Sequence, residues 1–301
     1  MAQPALDVFH ALDQALAAAV AAAAPSVVHV SRGHGGGTGI VWDDDLVIST
    51  SFHTPDRTTV GIAKPDGTLD ERDAEVIGRD PGTDVALLRV TGGGLNKATL
   101  RELGNLAVGN LALAIGRPGR TARASLRSIG VLGGAFRTPH GGKLDHYIES
   151  DRQIPRGFAG GPLIDADGAV IGMNTRTLLR GADIAVAVAT LRRVVDELKV
   201  HGGVRRGYLG VGAYPATLPA ALSQLVGRDH GALVASVEDG GPAAVAGILV
   251  GDIIVDIDGA AITGPDSLRL TLGDRPGAQA KITVLRGGAK QEIAVTLGSK
   301  P

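Results

Sequence analysis

Short apolar runs separated by glycine, proline and aspartate recur from Ser26 onward, and this pattern limits the possible folds more than any other feature of the sequence. Such runs, bounded by turn residues, are typical of β-strands in barrels or sandwiches. The chain contains 45 Gly, and aromatic residues make up 3% of it, so its cores must be built from aliphatic side chains. We therefore expect a mainly β protein.

The apolar runs fall into two sets, which predict two comparable β units. The first set comprises residues 27–30, 40–42, 46–49, 60–63, 74–78 and 85–90. The second set comprises residues 112–115, 125–132, 147–149, 163–164, 169–174 and 184–188. The break between the sets lies at 104–110, and Asp167 with Gly168 predicts a hairpin turn inside the second set.

Helical spacing marks both ends of this β region. An Ala/Leu-rich segment, 5–23, predicts a helix that ends at Pro25. A second helix is predicted at 190–199, where apolar side chains recur at helical spacing before two glycines.

Composition and length then predict the domain organisation. We expect an N-terminal helical segment at 1–25, a β module at 26–203 and a smaller mixed module at 204–301. The small module is predicted to hold strands at 208–211, 253–257 and 281–285 and helices at 242–246 and 265–272.

The N-terminal segment leaves the compartment open. Its apolar stretch at 16–24 is shorter than the roughly 20 residues that cross a bilayer, so we expect no membrane span. No Lys or Arg precedes Arg32, whereas a signal peptide carries positive charge there, so we do not expect this stretch to be a signal peptide. A periplasmic or cell-envelope location fits a protein whose signal was removed, and a cytoplasmic one fits a native start at Met1.

Charge and cysteine content exclude several function classes. The chain has 30 Lys and Arg against 31 Asp and Glu, a balance that argues against a nucleic-acid partner. It has no Cys, which excludes disulfides, Cys-ligated zinc and a Cys nucleophile within this sequence. The histidines show no paired metal spacing, so we expect neither a metal nor another cofactor.

Three local signals point to nucleophilic catalysis: His53 at the end of a predicted strand, Asp84 at the start of another, and a glycine-flanked turn at 157–163. Their order along the chain is that of chymotrypsin-like serine proteases, whose fold is a pair of β-barrels. In that chemistry the imidazole takes the nucleophile's proton, the carboxylate orients the imidazole, and backbone N–H groups face the developing oxyanion.

Four segments, 83–88, 114–119, 157–163 and 171–175, resemble motifs of the HtrA/Deg branch of trypsin-like proteases. The resemblance runs from about Pro25 to the end. It implies a chymotrypsin-like double β-barrel protease domain followed by a smaller α+β PDZ domain. It also implies an ATP-independent serine endopeptidase of protein quality control that cleaves unfolded or misfolded proteins.

Ala159 stands where this family has its nucleophilic serine. Without a hydroxyl no acyl-enzyme can form, and loss of the nucleophile costs about 10⁶ in kcat in a comparable protease. Ser150 falls in the strand expected before the oxyanion loop and is not expected to replace it. The backbone N–H groups of Gly157 and Ala159 need no side chain, so the oxyanion hole can persist and peptides can be bound uncut.

Two explanations fit the alanine. An active protease was altered by Ser→Ala, or the chain is a natural pseudoprotease that acts as a peptide-binding or chaperone-like scaffold. We favour the first, because His53, Asp84 and the whole glycine turn are retained.

The primary specificity pocket is predicted to be lined by Ile154 and by the residues after Asn174, beginning with Thr175. Gln153 stands where selection of Lys or Arg would need an aspartate. We therefore expect an apolar pocket that accepts small or medium aliphatic side chains.

The resemblance also implies two kinds of partner besides unfolded substrates. C-terminal peptides are expected at the PDZ domain, where backbone N–H groups hold the terminal carboxylate and the peptide adds as a strand. Leu268 and Leu272 are expected to face that groove, with plain core packing as the alternative. The residues that match the carboxylate-binding loop are Tyr208, Leu209, Gly210 and Val211.

HtrA-like proteases commonly form homotrimers through N-terminal segments. Phe9 is a candidate contact, and packing within one subunit is equally compatible with the sequence.

Overall fold

The computed structural model describes residues 3–32, 35–179, 181–273 and 275–300 of the chain. It contains two compact units, Met1–Val204 and Arg205–Pro301.

The first unit begins with helix α1 (Gln3–Ala23), whose C-terminal part packs on the β structure. Ala19 and Ala23 are buried in the main core cluster, whereas Val8 and Phe9 are about two-thirds exposed (68% and 69%). Within the described residues, the segment Asp7–Ser26 is long and apolar enough to cross a membrane. The expectation from the sequence that no segment reaches this length is therefore wrong. Signal sequences and core helices share the property, so it does not by itself locate the protein.

A six-stranded closed barrel follows α1, in the strand order β1-β2-β3-β6-β5-β4. Small aliphatic side chains, such as Val28, Val47 and Leu88, fill its interior and are fully buried. Strand β6 is buried along nearly its whole length, which explains its continuous apolar run. The strands are β1 (Val27–Ser31), β2 (Gly36–Asp43), β3 (Leu46–Thr50), β4 (Arg57–Ala63), β5 (Leu69–Asp80) and β6 (Val85–Val90).

A second six-stranded closed barrel has the order β11-β14-β13-β12-β7-β8. The hairpin turn at Asp167 and Gly168 joins β12 to β13, as predicted, with Gly168 at φ +82°. A short two-stranded hairpin, β9 with β10, was not predicted. The elements are β7 (Leu111–Gly116), β8 (Arg123–Gly133), β9 (Phe136–Arg137), β10 (Lys143–Leu144), β11 (Tyr147–Ser150), β12 (Pro162–Ile164), β13 (Val170–Leu179), β14 (Ala182–Ala187) and helix α2 (Val188–His201).

The second unit is an α+β domain built on a sheet in which β16, β17, β18, β20 and β21 are hydrogen-bonded in that order and β19 pairs with β18. Strand β15 pairs separately with β22. The elements are β15 (Arg206–Tyr208), β16 (Val211–Thr217), α3 (Ala220–Val226), β17 (His230–Val237), α4 (Pro242–Ala246), β18 (Ile253–Ile257), β19 (Ala260–Ala261), α5 (Pro265–Leu272), β20 (Gln279–Arg286), β21 (Ala289–Thr296) and β22 (Gly298–Lys300).

The architecture confirms the predicted fold class: mainly β, with two chymotrypsin-like barrels and then a PDZ-type α+β domain. One predicted strand, 208–211, is wrong in detail. β15 ends at Tyr208 and β16 starts at Val211, because Gly210 lies at φ +81° and turns the chain between them.

Candidate active site

His53 lies in the turn that follows β3 of the first barrel. Its side chain is exposed and makes no hydrogen bond with any described residue. The turn is fixed beside it, because the Ser51 N–H donates to the Asp84 carbonyl at 3.0 Å. The neighbouring Phe52 ring packs against His140, with ring centroids 5.1 Å apart.

Asp84 is fully buried and adopts a left-handed backbone conformation, φ +55°, which Asp tolerates better than most residues. Its carboxylate accepts three hydrogen bonds. They come from the Phe52 N–H at 3.1 Å, the Thr175 hydroxyl at 2.5 Å and the Thr177 hydroxyl at 2.6 Å. Nothing in the local sequence pattern pointed to Thr177. Among the described residues, Asp84 and His53 share no hydrogen bond.

The glycine turn before β12 contributes Gly157 and Ala159 to the lining of the cavity. Gly157 lies at φ +83°, and its carbonyl accepts a hydrogen bond from the Thr38 hydroxyl at 2.6 Å. The Phe158 N–H donates to the Pro155 carbonyl at 3.2 Å. The N–H groups of Gly157 and Ala159, in contrast, have no acceptor among the described residues. Unpaired backbone N–H groups are the donors that an oxyanion hole requires.

Arg32, which the sequence did not reveal as a site residue, reaches into this region from the end of β1. Its Nη2 donates to the Thr50 hydroxyl at 2.9 Å and to the Ser49 hydroxyl and the Ala159 carbonyl at 3.2 Å each. Burial lowers the pKa of the Arg32 guanidinium, and the charge of Asp84 works in the opposite direction. A guanidinium nevertheless remains protonated at physiological pH.

One cavity of about 310 Å³ brings the predicted catalytic residues together. A larger cavity of about 700 Å³, bordered by β4, β5 and β6, contains none of the predicted site residues. We take the smaller cavity as the candidate site because it contains the residues that serine-protease chemistry requires, although it is not the larger of the two. It is lined by His53, Asp84, Gly157 and Ala159 together with Arg32, Arg156, Arg176 and Thr177.

The two predicted specificity residues do not line this cavity. The Ile154 side chain is buried in the core of the second barrel, and Thr175 is buried and bonded to Asp84. Their role in a substrate pocket stays a prediction. Ser150 also lies away from the cavity, and its hydroxyl donates to the Arg152 carbonyl at 3.2 Å.

A separate groove of about 230 Å³ in the second unit lies between the start of β16 and helix α5. Leu268 and Leu272 line it and also belong to the domain core, and their contact with a bound peptide stays a prediction. The N–H groups of Leu209 and Gly210 have no acceptor among the described residues. The predicted loop residues Tyr208, Leu209, Gly210 and Val211 all line the groove.

Two family descriptions match the chain: a trypsin-like peptidase domain over residues 37–173 and a PDZ domain over residues 207–297. Probable periplasmic serine endoproteases described as DegP-like, from Brucella suis and Halomonas elongata, are 34% and 32% identical over 88% of this chain. The chain spans about half of their length, 53% and 56%.

Solved structures agree with these matches. An HtrA-type protease, AlgW, with a decapeptide is 27% identical and superposes with a TM-score of 0.68, covering 95% of this chain and 99% of that one. A serine endoprotease from Yersinia pestis is 25% identical with a TM-score of 0.67, covering 95% of this chain and 98% of that one. In fold, motifs and domain order, the chain is HtrA/DegP-like: a trypsin-like peptidase domain is followed by a C-terminal PDZ domain.

Proposed function

We propose that the chain has the framework of an ATP-independent serine endopeptidase that acts on unfolded proteins, and that with Ala159 it holds peptides without cleaving them. One observation carries the proposal. His53, Asp84 and two unpaired backbone N–H groups border one cavity around the Ala159 methyl. The DegP-like relatives, named as serine endoproteases, support the same reaction class.

The chemistry follows from the residues present. A serine at 159 would attack the scissile carbonyl carbon and pass its proton to His53, which would return it to the leaving amine. The N–H groups of Gly157 and Ala159 would stabilise the oxyanion, and Asp84 the imidazolium. A methyl group has no lone pair to form the acyl bond, so with Ala159 the reaction stops before its first covalent step.

Restoring the hydroxyl tests this proposal. We expect Ala159→Ser to cleave casein, with a rate increase of about 10⁶ over the unaltered chain, because the nucleophile is the missing part. Release of peptides from fluorescent casein measures the reaction. The double variant Ala159→Ser with His53→Ala is the matched control and is expected to be inactive. Failure of Ala159→Ser to cleave any unfolded protein would refute the endopeptidase framework.

A second candidate function is a peptide-binding scaffold without catalysis. The arrangement of Asp84 favours it, because two threonine hydroxyls and one N–H occupy the carboxylate and His53 takes no part in these hydrogen bonds. A competent triad would need the imidazole N–H to donate to this carboxylate as well. If Ala159→Ser binds peptides and cuts none, the scaffold function holds instead.

The groove in the second unit is proposed to bind peptide C-termini. Free N–H groups at Leu209 and Gly210 suit a carboxylate, and the two leucines of α5 suit an apolar final side chain. The PDZ match and the peptide-bearing AlgW structure support this assignment.

We further propose a homotrimer that associates through α1, because the Phe9 ring is 69% exposed on an apolar helix. The periplasm, which appears in the names of the DegP-like relatives, is the proposed compartment.

A further inference from the structure

Three arginines, Arg32, Arg156 and Arg176, line the cavity at Ala159. Among the described lining residues Asp84 is the one carboxylate, and its oxygens already accept hydrogen bonds from an N–H and two hydroxyls. The cavity therefore presents an excess of positive charge around the position where a bound peptide would face Ala159.

Arg32 is held there by neutral groups. Its Nη2 donates to two hydroxyls and one carbonyl, and its Nε is buried without a hydrogen-bond partner. Within the described residues no carboxylate lies within ion-pair distance of it. A partly buried guanidinium with an unused donor is costly unless an anion completes its hydrogen bonds.

The other two arginines make few contacts with described residues. Arg156 is exposed and makes no hydrogen bond or ion pair with a described residue, and it directly precedes the free N–H of Gly157. Arg176 is 41% exposed, and its Nε lies 3.6 Å from Asp183 Oδ2, beyond hydrogen-bond distance. That oxygen already accepts the Ile154 N–H at 2.7 Å. Both guanidinium groups can therefore turn toward a ligand.

We infer that this cleft selects peptides with an aspartate or glutamate next to the residue that faces Ala159, and that Arg32, Arg156 and Arg176 determine this specificity. The inference rests on the proposed function, because it requires that the cleft binds peptides. Guanidinium groups suit a carboxylate because their planar donors match its two oxygens. This preference for an acidic side chain is separate from the apolar pocket expected from the sequence. The apolar pocket would hold the peptide residue that faces Ala159, and the arginines would contact the peptide residue next to it.

The test uses the full chain with Ala159 and two fluorescent peptides that differ only in one Glu or Gln next to an Ala-Val step. Both peptides are acetylated and C-terminally amidated, so that neither offers a terminal carboxylate to the PDZ groove. Fluorescence anisotropy measures binding at low and at high salt. We expect the Glu peptide to bind about tenfold more tightly, since a charge-assisted hydrogen bond is stronger than a neutral one. The difference should shrink at high salt.

Arg156→Gln is the informative variant, because this side chain is exposed and its replacement threatens no internal contact. We expect it to lose most of the preference for Glu. Arg123→Gln, an exposed arginine on β8 outside the cavity lining, is the matched control and should keep the preference. Equal binding of the two peptides, or equal effects of the two variants, would overturn the acid selection alone. Binding of neither peptide would overturn the proposed peptide binding in the cleft, and the inference with it.

Discussion

At the scale of single residues, Gly157 shows how little space the turn at Ala159 leaves. A Cβ on this glycine would lie 2.4 Å from the Cβ of Pro118, far inside van der Waals contact. The backbone also lies at φ +83°, where only glycine is free of strain. The two constraints together explain why position 157 is a glycine.

We predict that Gly157→Ala lowers the free energy of unfolding more than the same exchange at a glycine with open space around it. Gly181 is a matched control, since it has the same φ of +83° and a Cβ added to it would meet no atom within 4 Å. Gly181→Ala should cost about 1 kcal/mol of unfolding free energy, from backbone strain alone. Gly157→Ala should cost roughly 1–3 kcal/mol more, because Pro118 must move. Urea unfolding measures both, and equal losses would contradict the steric argument.

The residues of this site differ in how clearly the sequence indicated them. His53, Asp84 and the turn at Ala159 are marked by strand ends and glycines, which are local signals. Arg32 and Thr177 carry no such mark, because they reach Ala159 and Asp84 from parts of the chain that meet them only in the folded barrels. Their contribution depends on tertiary contact, which periodicity cannot encode.

At the scale of elements, one ion pair ties together the turn before β18 and the end of β20. Asp252 is almost fully buried, and Arg286 Nη2 donates to its Oδ2 at 2.7 Å. The same carboxylate accepts the Leu249 N–H, and Arg286 also donates to the Gly247 carbonyl. Burial works to raise the pKa of Asp252, but the hydrogen bonds from Arg286 and Leu249 outweigh it and hold the pKa below its usual value.

This pair predicts an acid-dependent loss of stability in the second unit. A depressed folded-state pKa means that the stabilisation is complete above the usual carboxyl value of 3.8 and is lost as pH falls through the folded-state value. Asp252→Asn should cost about 2 kcal/mol at pH 7, and this difference should shrink below about pH 4. Asp266→Asn, on an exposed side chain of the same unit, should cost little at either pH.

Circular dichroism during urea unfolding measures the effect. The chain's one tryptophan, Trp42, lies in the first barrel, so its fluorescence should not respond to Asp252→Asn. A difference between wild type and Asp252→Asn that stays constant from pH 7 to pH 3 would contradict the assignment.

Several elements with a buried face were predictable from the sequence, although strand β17, which also has buried residues, was not predicted. Strand β6 and helix α2 are among those predicted, since their apolar residues face the core. Strand β21 was missed because six of its eight residues are exposed and its pattern is polar. The β9 and β10 hairpin was missed because two-residue strands are too short to show any period.

At the scale of the whole molecule, α1 has two different halves. Ala19 and Ala23 near its C-terminal end are buried, whereas Val8, Phe9 and Leu12 are exposed. Exposed apolar side chains of this size on one helix favour association with another apolar surface. The proposed trimer is one way to cover them.

We predict that Phe9→Asp converts the proposed trimer into smaller species, because a charge cannot be buried there without a partner. Sedimentation velocity measures the change. His10→Asp, the exposed neighbouring position, serves as control and should leave the assembly unaltered. If the unaltered chain and Phe9→Asp sediment identically, α1 does not form the contact.

The unpaired amides at Gly157 and Ala159 have a wider consequence. They belong to the main chain, so no exchange at position 159 except one to proline removes them. In the proposed function, recognition of a carbonyl and cleavage of its bond would therefore be encoded separately, the first by the backbone and the second by one oxygen atom at position 159. A single exchange between serine and alanine would then decide turnover and leave the proposed peptide binding in place.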